Sequence, residues 1–238
     1  MVAERLMQIN SKIFNSAKKI KKSHNDIKLV AVSKNQPISK IQEAIHAGQT
    51  IFGENRIQEA TKKFIRLKQQ HAKLKLHLIG ALQNNKIKEA IALFDVIETV
   101  DRPKLAEKLA YELAKTHRQI KLMIQVNTGN EPQKSGVSPP EADQFIKYCR
   151  KDLKLPIIGL MCIPPVHENP RPHFMLLADL AKQNQLTELS MGMSADFETA
   201  IQYGATYVRV GTAIFGERDC EKHLLRKEIT PIQLSQSD

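Results

Sequence analysis

The chain has 238 residues, of which 42% are apolar, with only 10 Gly and 11 Pro. That is enough material to bury one core, and it excludes a disordered or fibrous composition. A formal charge of +11 makes an anionic ligand or a nucleic acid worth weighing as partner and selects neither. Cys149, Cys162 and Cys220 are odd in number and widely spaced, which argues against a disulfide framework or a Cys-x-x-Cys metal site and for a reducing compartment. The first residues include Glu4 and Arg5 and lack the unbroken apolar core of a signal peptide. No apolar run approaches the roughly 18 residues of a spanning helix. The expectation is a cytoplasmic protein with no membrane segment.

In chain order, residues 2–24 read as an amphipathic helix, after which short apolar runs alternate with helical stretches. The runs are Leu29–Ser33, Thr50–Gly53, Leu76–Gly80, Val96–Val100, Lys121–Asn127, Ile157–Ile163, Leu186–Met191 and Thr206–Val210. Between them, Ser39–Ala47, Ile57–Gln70, a short segment around Asn85–Ala92, Lys104–Thr116, Glu141–Lys151 and Asp196–Tyr203 carry apolar spacing near 3.6. Strands separated by helices imply a parallel sheet, and eight of them predict a single closed (β/α)8 TIM barrel over residues 1–238 with an extra N-terminal helix. An open doubly wound sheet is the alternative. The lysine-rich groups Lys18, Lys19, Lys21, Lys22 and Lys62, Lys63, Arg66, Lys68 read as solvated helix faces. With 5% aromatics, no Trp and no nucleic-acid motif, an RNA partner is disfavoured.

A closed barrel gathers its functional groups at the carboxyl ends of its strands. In the first strand, period-two alternation places Val30, Val32 and Lys34 on one face, so an inward-facing strand ends in a lysine. The plain reading is an ammonium reaching solvent or a carboxylate such as Glu54. The functional one is a partly desolvated amine whose lowered pKa lets it attack an aldehyde. At the other end of the chain, Ser194 and the pair Gly211 and Thr212 follow the last two strands. There, small residues and free backbone N–H groups form the usual phosphate site of such barrels. Taken singly, Ser194 is a helix cap and Gly211 a turn. Together with Lys34 they describe a pocket for a phosphorylated aldehyde. Arg209 alternates in phase with Tyr207 and points into the barrel, where a guanidinium needs a partner. Asn55 either donates to a ring oxygen or caps the next helix. His77, in the third strand, reads as a satisfied core histidine more readily than as a participant. Nucleophile-elbow, Walker, dinucleotide and zinc-protease motifs are missing, and Glu43 with His46 makes no metal site.

Over about Val30 to Arg218 the chain resembles the pyridoxal phosphate homeostasis proteins, the YggS/PROSC family, which are similar to the barrel domain of alanine racemase and so to fold-type III proteins. The segments that carry the resemblance are Ala31-Val32-Ser33-Lys34, Phe52-Gly53-Glu54-Asn55 with Gln58-Glu59, His77-Leu78-Ile79-Gly80 with Leu82-Gln83 and Asn85-Lys86, Gln133-Lys134-Ser135-Gly136, Gly159-Leu160-Met161, Leu189 to Asp196 and Val208 to Glu217. The resemblance implies that Lys34 forms a Schiff base with pyridoxal 5'-phosphate, that Ser194, Gly211 and Thr212 hold the phosphate, that Asn55 lies beside the cofactor and that Arg209 faces the pyridine nitrogen. Leu78, Leu76 and Cys162 depart from the usual pattern and touch packing only.

Two functions compete. One is a carrier that keeps pyridoxal phosphate available and passes it to apo-enzymes, acting as a monomer without turnover of its own. The other is an amino-acid racemase, which needs bases on both substrate faces. The chain stops about 20 residues beyond the last motif, leaving no segment for the second domain of a racemase, and Tyr111, Tyr148, Tyr203 and Tyr207 are expected away from the rim. The carrier is therefore the expectation.

Overall fold

A computed structural model describes residues 1–217. Arg218, Cys220 and the polar stretch 235–238 of the sequence reading lie outside the described residues. Eight strands pair in parallel, in sequence order, into a closed barrel: β1 (Lys28–Val32), β2 (Ile51–Glu54), β3 (Lys75–Leu78), β4 (Val96–Val100), β5 (Lys121–Val126), β6 (Ile157–Cys162), β7 (Glu188–Ser190) and β8 (Tyr207–Val210). The helices are α1 (Val2–Lys19), α2 (Ile38–His46), α3 (Ile57–Gln70), α4 (Ile87–Leu93), α5 (Pro103–Leu113), α6 (Pro139–Lys147), α7 (Pro170–Gln183), α8 (Phe197–Gln202) and a single turn α9 (Thr212–Phe215).

Strand alternation sorts the side chains into two cores. Phe52, Leu76, Ile97, Leu122, Leu189 and Val208 face the helices and pack with Phe64, Leu105, Phe174 and Phe197. Val30, Val96, Met123 and Tyr207 fill the lower lumen. Closure comes from the β1–β8 pairing, with Lys28 opposite Tyr207 and Val30 opposite Arg209. Outside that seam lies α1, against α2, α8 and α9. Its buried residues Val2, Leu6, Ile9, Ile13 and Ala17 repeat at steps of three and four, which form one stripe on a helix. Its first backbone N–H donates to Glu43 Oε1 at 2.8 Å, which accounts for Glu43 without a metal.

The sequence reading carried α1 to residue 24, but the helix ends at Lys19 and Lys21 takes φ of +56°. Ser23 then opens a separate turn, its hydroxyl accepting from the Asn25 N–H at 3.3 Å. The stretch expected as a helix to Lys151 leaves α-geometry after Lys147 in a wide turn over Tyr148–Asp152. One departure positions a side chain: Ile97 lies opposite Leu122, and Val100 opposite Ile124, so β4 carries an extra residue at Glu98-Thr99. Such a bulge re-aims the residues it contains. Ideal alternation would turn Val96, Glu98 and Val100 all inward, yet Val100 packs in the outer core.

Leu6 is 2% exposed in the α1 stripe. Leu6→Ala is expected to cost about 2–5 kcal/mol of stability, read as a lower urea midpoint with unchanged slope.

Candidate functional site

The six residues singled out from the sequence fall on four consecutive strands of the ring. Lys34 lies in the turn after β1, Asn55 directly after β2, Ser194 in the turn after β7, Arg209 in β8, and Gly211 and Thr212 at the β8–α9 junction. The seam brings the last pair against β1: a Cβ on Gly211 would stand 3.3 Å from both Cβ and O of Val32. Two expected helix-cap roles are not seen. The helix after β7 begins at Phe197, with Asp196 at its cap position, so Ser194 sits exposed in the preceding turn. There Asp196 Oδ1 accepts from the Met193 N–H at 2.6 Å, and Gly192 takes φ of +88°. The α3 cap position is Arg56. Asn55 is instead held by backbone contact, because a Cβ on Gly80 would come within 2.3 Å of the Asn55 carbonyl oxygen. The Asn55 side-chain oxygen is buried without a hydrogen-bond partner among the described residues. It borders a cleft of about 410 Å3 lined by Arg56, Gln58, Gly80, Gln83 and Lys86.

Beneath the Lys34 turn, between sheet and α3, lies an ionic cluster that the sequence reading missed. The Ser33 hydroxyl donates to Glu54 Oε1 at 2.7 Å. Lys63 Nζ donates to the same oxygen at 3.2 Å and to the Ser33 carbonyl at 2.9 Å, and it also pairs with Glu59. Glu59 accepts in turn from the Asn35 N–H at 2.6 Å. Asn35 has φ of +57°, a conformation that Asn tolerates better than most residues. Both residues flanking Lys34 are thereby tied to the cluster. Lys63, read from the sequence as part of a wet face, is buried. It occupies the apolar stripe Ala60, Lys63, Phe64, Leu67, and a lysine on such a stripe opposite a strand-end glutamate was the available signal. Burial raises the Glu54 carboxyl above its ordinary range, only partly offset by the charge of Lys63 and the hydrogen bond from Ser33.

Inside the barrel, above the apolar layer, lies a second buried polar group. Arg209 Nη1 donates to Ser190 Oγ at 2.7 Å and Nη2 to the Cys162 carbonyl at 2.8 Å. The Ser190 hydroxyl reaches Glu98 Oε2 at 2.5 Å, and His77 Nδ1 lies 2.6 Å from Glu98 Oε1. The inward aim expected for Arg209 is met, and His77 is the satisfied core histidine of the plainer reading, though its partner was not foreseen. Burial pushes the Glu98 carboxyl up. The hydrogen bond from His77 and the charges of His77 and Arg209, with the Ser190 hydroxyl, outweigh it and hold the group below the usual carboxylate range. Burial also pushes the Cys162 thiol up to about 12. Among the described residues no His, Cys, Asp and Glu group could hold a metal, and no helix is long and apolar enough to cross a membrane.

The closed barrel of eight parallel strands is the fold that this chain shares with alanine racemases. The family model described as "Alanine racemase, N-terminal domain" matches residues 11–219. Solved alanine racemases share that fold at low identity: the enzyme from Corynebacterium glutamicum superposes with a TM-score of 0.66 at 19% identity, over 91% of this chain and 60% of that one. Nearer relatives span the same length as this chain. A pyridoxal phosphate homeostasis protein of Aquifex aeolicus is 38% identical over 90% of this chain and 97% of its own, and that of Escherichia coli K12 is 36% identical over 93% and 98%. PipY of Synechococcus elongatus, solved with pyridoxal phosphate (PLP) bound, superposes with a TM-score of 0.78 at 37% identity, covering 91% of this chain and 100% of that one. The chain belongs to the pyridoxal phosphate homeostasis protein family.

The Lys63–Glu54 pair generates a test. Lys63→Met leaves Glu54 buried without its cation and is expected to cost about 3–5 kcal/mol, of which the double variant with Glu54→Gln recovers a large part. The folded-state pKa of Glu54 is raised, so its contribution to stability is complete below the unfolded value and is lost as pH rises through the folded one. Lys63→Met raises that pKa further, so its stability relative to wild type should fall more steeply from about pH 4.5 toward neutrality, which urea titrations at several pH values measure.

Proposed function

We propose that this protein binds pyridoxal 5'-phosphate as a Schiff base on Lys34 and serves to hold and pass on the cofactor inside the cell. The observation that carries this reading is the meeting, across the β1–β8 seam, of the Lys34 turn with the Gly211 turn. One supplies an amine and the other a side-chain-free approach for an anion. The described residues suit the cofactor. Gly211 leaves room where a Cβ would crowd Val32, and Asn55 brings a buried, unsatisfied polar atom to the rim. Family membership, and the PLP-bound relative from Synechococcus elongatus, support the same ligand.

In this reading Lys34 Nζ would hold the cofactor through its aldehyde carbon. Ser194, Thr212 and the backbone N–H groups beside Gly211 hold the phosphate, and Asn55 lies against the ring. Arg209 faces the ring nitrogen. Because a guanidinium stays charged, it disfavours a proton on that nitrogen and weakens the ring as an electron sink. Bound cofactor supplies an electrophilic carbon open to exchange with amines, which suits storage and transfer to PLP-dependent apo-enzymes. The tyrosines support a carrier over a racemase. Tyr111 lies in α5 and Tyr203 follows α8, whereas the Tyr148 hydroxyl donates to Glu107 at 3.0 Å and the Tyr207 hydroxyl accepts from Lys28 at 3.1 Å. The proposal extends to one domain over residues 1–238, acting as a cytoplasmic monomer without a nucleic-acid partner.

Protein purified with PLP should show the visible absorption of a lysine imine, and borohydride should fix the cofactor to the peptide containing Lys34. Lys34→Ala should lose both. Unaltered absorption in that variant, or trapping on another peptide, contradicts the assignment, and amino-acid turnover near ordinary enzymatic rates contradicts the carrier role.

A further inference from the structure

Barrel interiors are filled by branched apolar side chains, and here the layer beneath the rim is ionic. Glu98 and Ser190 are fully buried, and His77 and Arg209 nearly so. Even after relaxation, an unpaired charge in such a place costs several kcal/mol, so the arrangement has to balance internally. The chemistry of the donors fixes how. Arginine only donates, so Ser190 Oγ accepts from Arg209 and its single proton points to Glu98 Oε2. Oε2 is therefore an acceptor, and His77 Nδ1 donates to Oε1 if the carboxylate is ionised. The tilted Tyr207 ring, 5.3 Å from the His77 ring, packs against the imidazole from one side. The direction of the chain is Arg209 to Ser190 to Glu98, met by His77 from the other oxygen. The bulge at Glu98-Thr99 is the backbone device that places a carboxylate there, and Thr99 secures it by donating to the Gly80 carbonyl at 2.9 Å.

We propose that Glu98 is a positioning residue of the cofactor site: through Ser190 it fixes the direction in which Arg209 presents its guanidinium and supplies the negative charge that balances it. The inference rests on the reading that the Lys34 rim holds PLP with Arg209 toward the ring nitrogen. Two of the five guanidinium N–H groups are anchored, one to Ser190 and one to the Cys162 carbonyl. The guanidinium plane then cannot turn without breaking the contact to Ser190. Glu98 touches neither cofactor nor substrate in this assignment, and its effect passes through Arg209 alone.

The test compares PLP-loaded wild type with Glu98→Gln and Ser190→Ala. Glu98→Gln keeps the size of the side chain and removes its charge; Ser190→Ala keeps Glu98 with His77 and cuts the link to Arg209. In both, borohydride should still trap the cofactor on Lys34. The PLP dissociation constant should weaken about tenfold, equivalent to about 1.4 kcal/mol. In Glu98→Gln the pH midpoint of the visible band should move lower, because loss of the anion leaves Arg209 uncompensated near the ring. Ile146→Ala, a buried α6 residue on the far side of the ring from the β1–β8 seam, should keep the wild-type midpoint and so separates positioning from general loss of stability. If Glu98→Gln does not fold, Ser190→Ala carries the decision by its dissociation constant. Wild-type trapping on Lys34 together with wild-type affinity and midpoint in the folded variants overturns the role of Glu98 and leaves the cofactor site standing. Absence of trapping on Lys34 in wild type overturns both.

Discussion

The backbone hydrogen bonds between β8 and β1 are the constraint on which the site depends. The lysine and the glycine turn come from opposite ends of the described chain, and only closure of the ring makes them neighbours. With Val30 opposite Arg209, the residues after each strand emerge side by side. The N-terminal helix acts at the same place. By packing across α2, α8 and α9, α1 covers the elements that flank the seam and buries a five-residue apolar stripe against them. Burial of that kind is where most helix stability in proteins originates.

Two buried charge clusters divide the work on either side of the sheet. Outside, Glu54, Lys63 and Glu59 grip Ser33 and Asn35 and so hold the backbone on both sides of Lys34. Inside, Glu98 and Ser190 hold Arg209. A buried ion pair is poor evidence of stability, since well-packed apolar residues often do as well. Its geometry is specific, however, and both clusters sit directly below the rim. The fold places strand ends within a few ångströms, and the hydrogen-bonded charges set the orientation of individual groups there.

Much of this was legible in the residues. The bounds read for β4 and α3 coincide with those observed, because each is a strongly patterned run with clear edges. The barrel followed from the count of alternating elements. The family resemblance, rather than spacing, selected Lys34 over a solvated ammonium. What escaped was long-range pairing. Lys63 looked like one more surface lysine until Glu54 stood opposite it, and Glu98 looked like an ordinary strand residue because no local pattern announces a bulge or a serine on β7. The helix caps weighed for Ser194 and Asn55 are not seen, because the cap positions fall nearer each helix, at Asp196 and Arg56. Local chemistry permits such caps without requiring them.

The Cys162 carbonyl receives Arg209 inside the barrel, while its side chain belongs to the outer apolar core, where burial lifts the thiol pKa to about 12. Thiolates, not thiols, attack carbonyl carbon and alkylating reagents. At neutral pH this sulfur therefore stays a protonated packing group rather than a nucleophile. One residue thus serves the interior through its backbone carbonyl while its side chain packs the sheet against the helices.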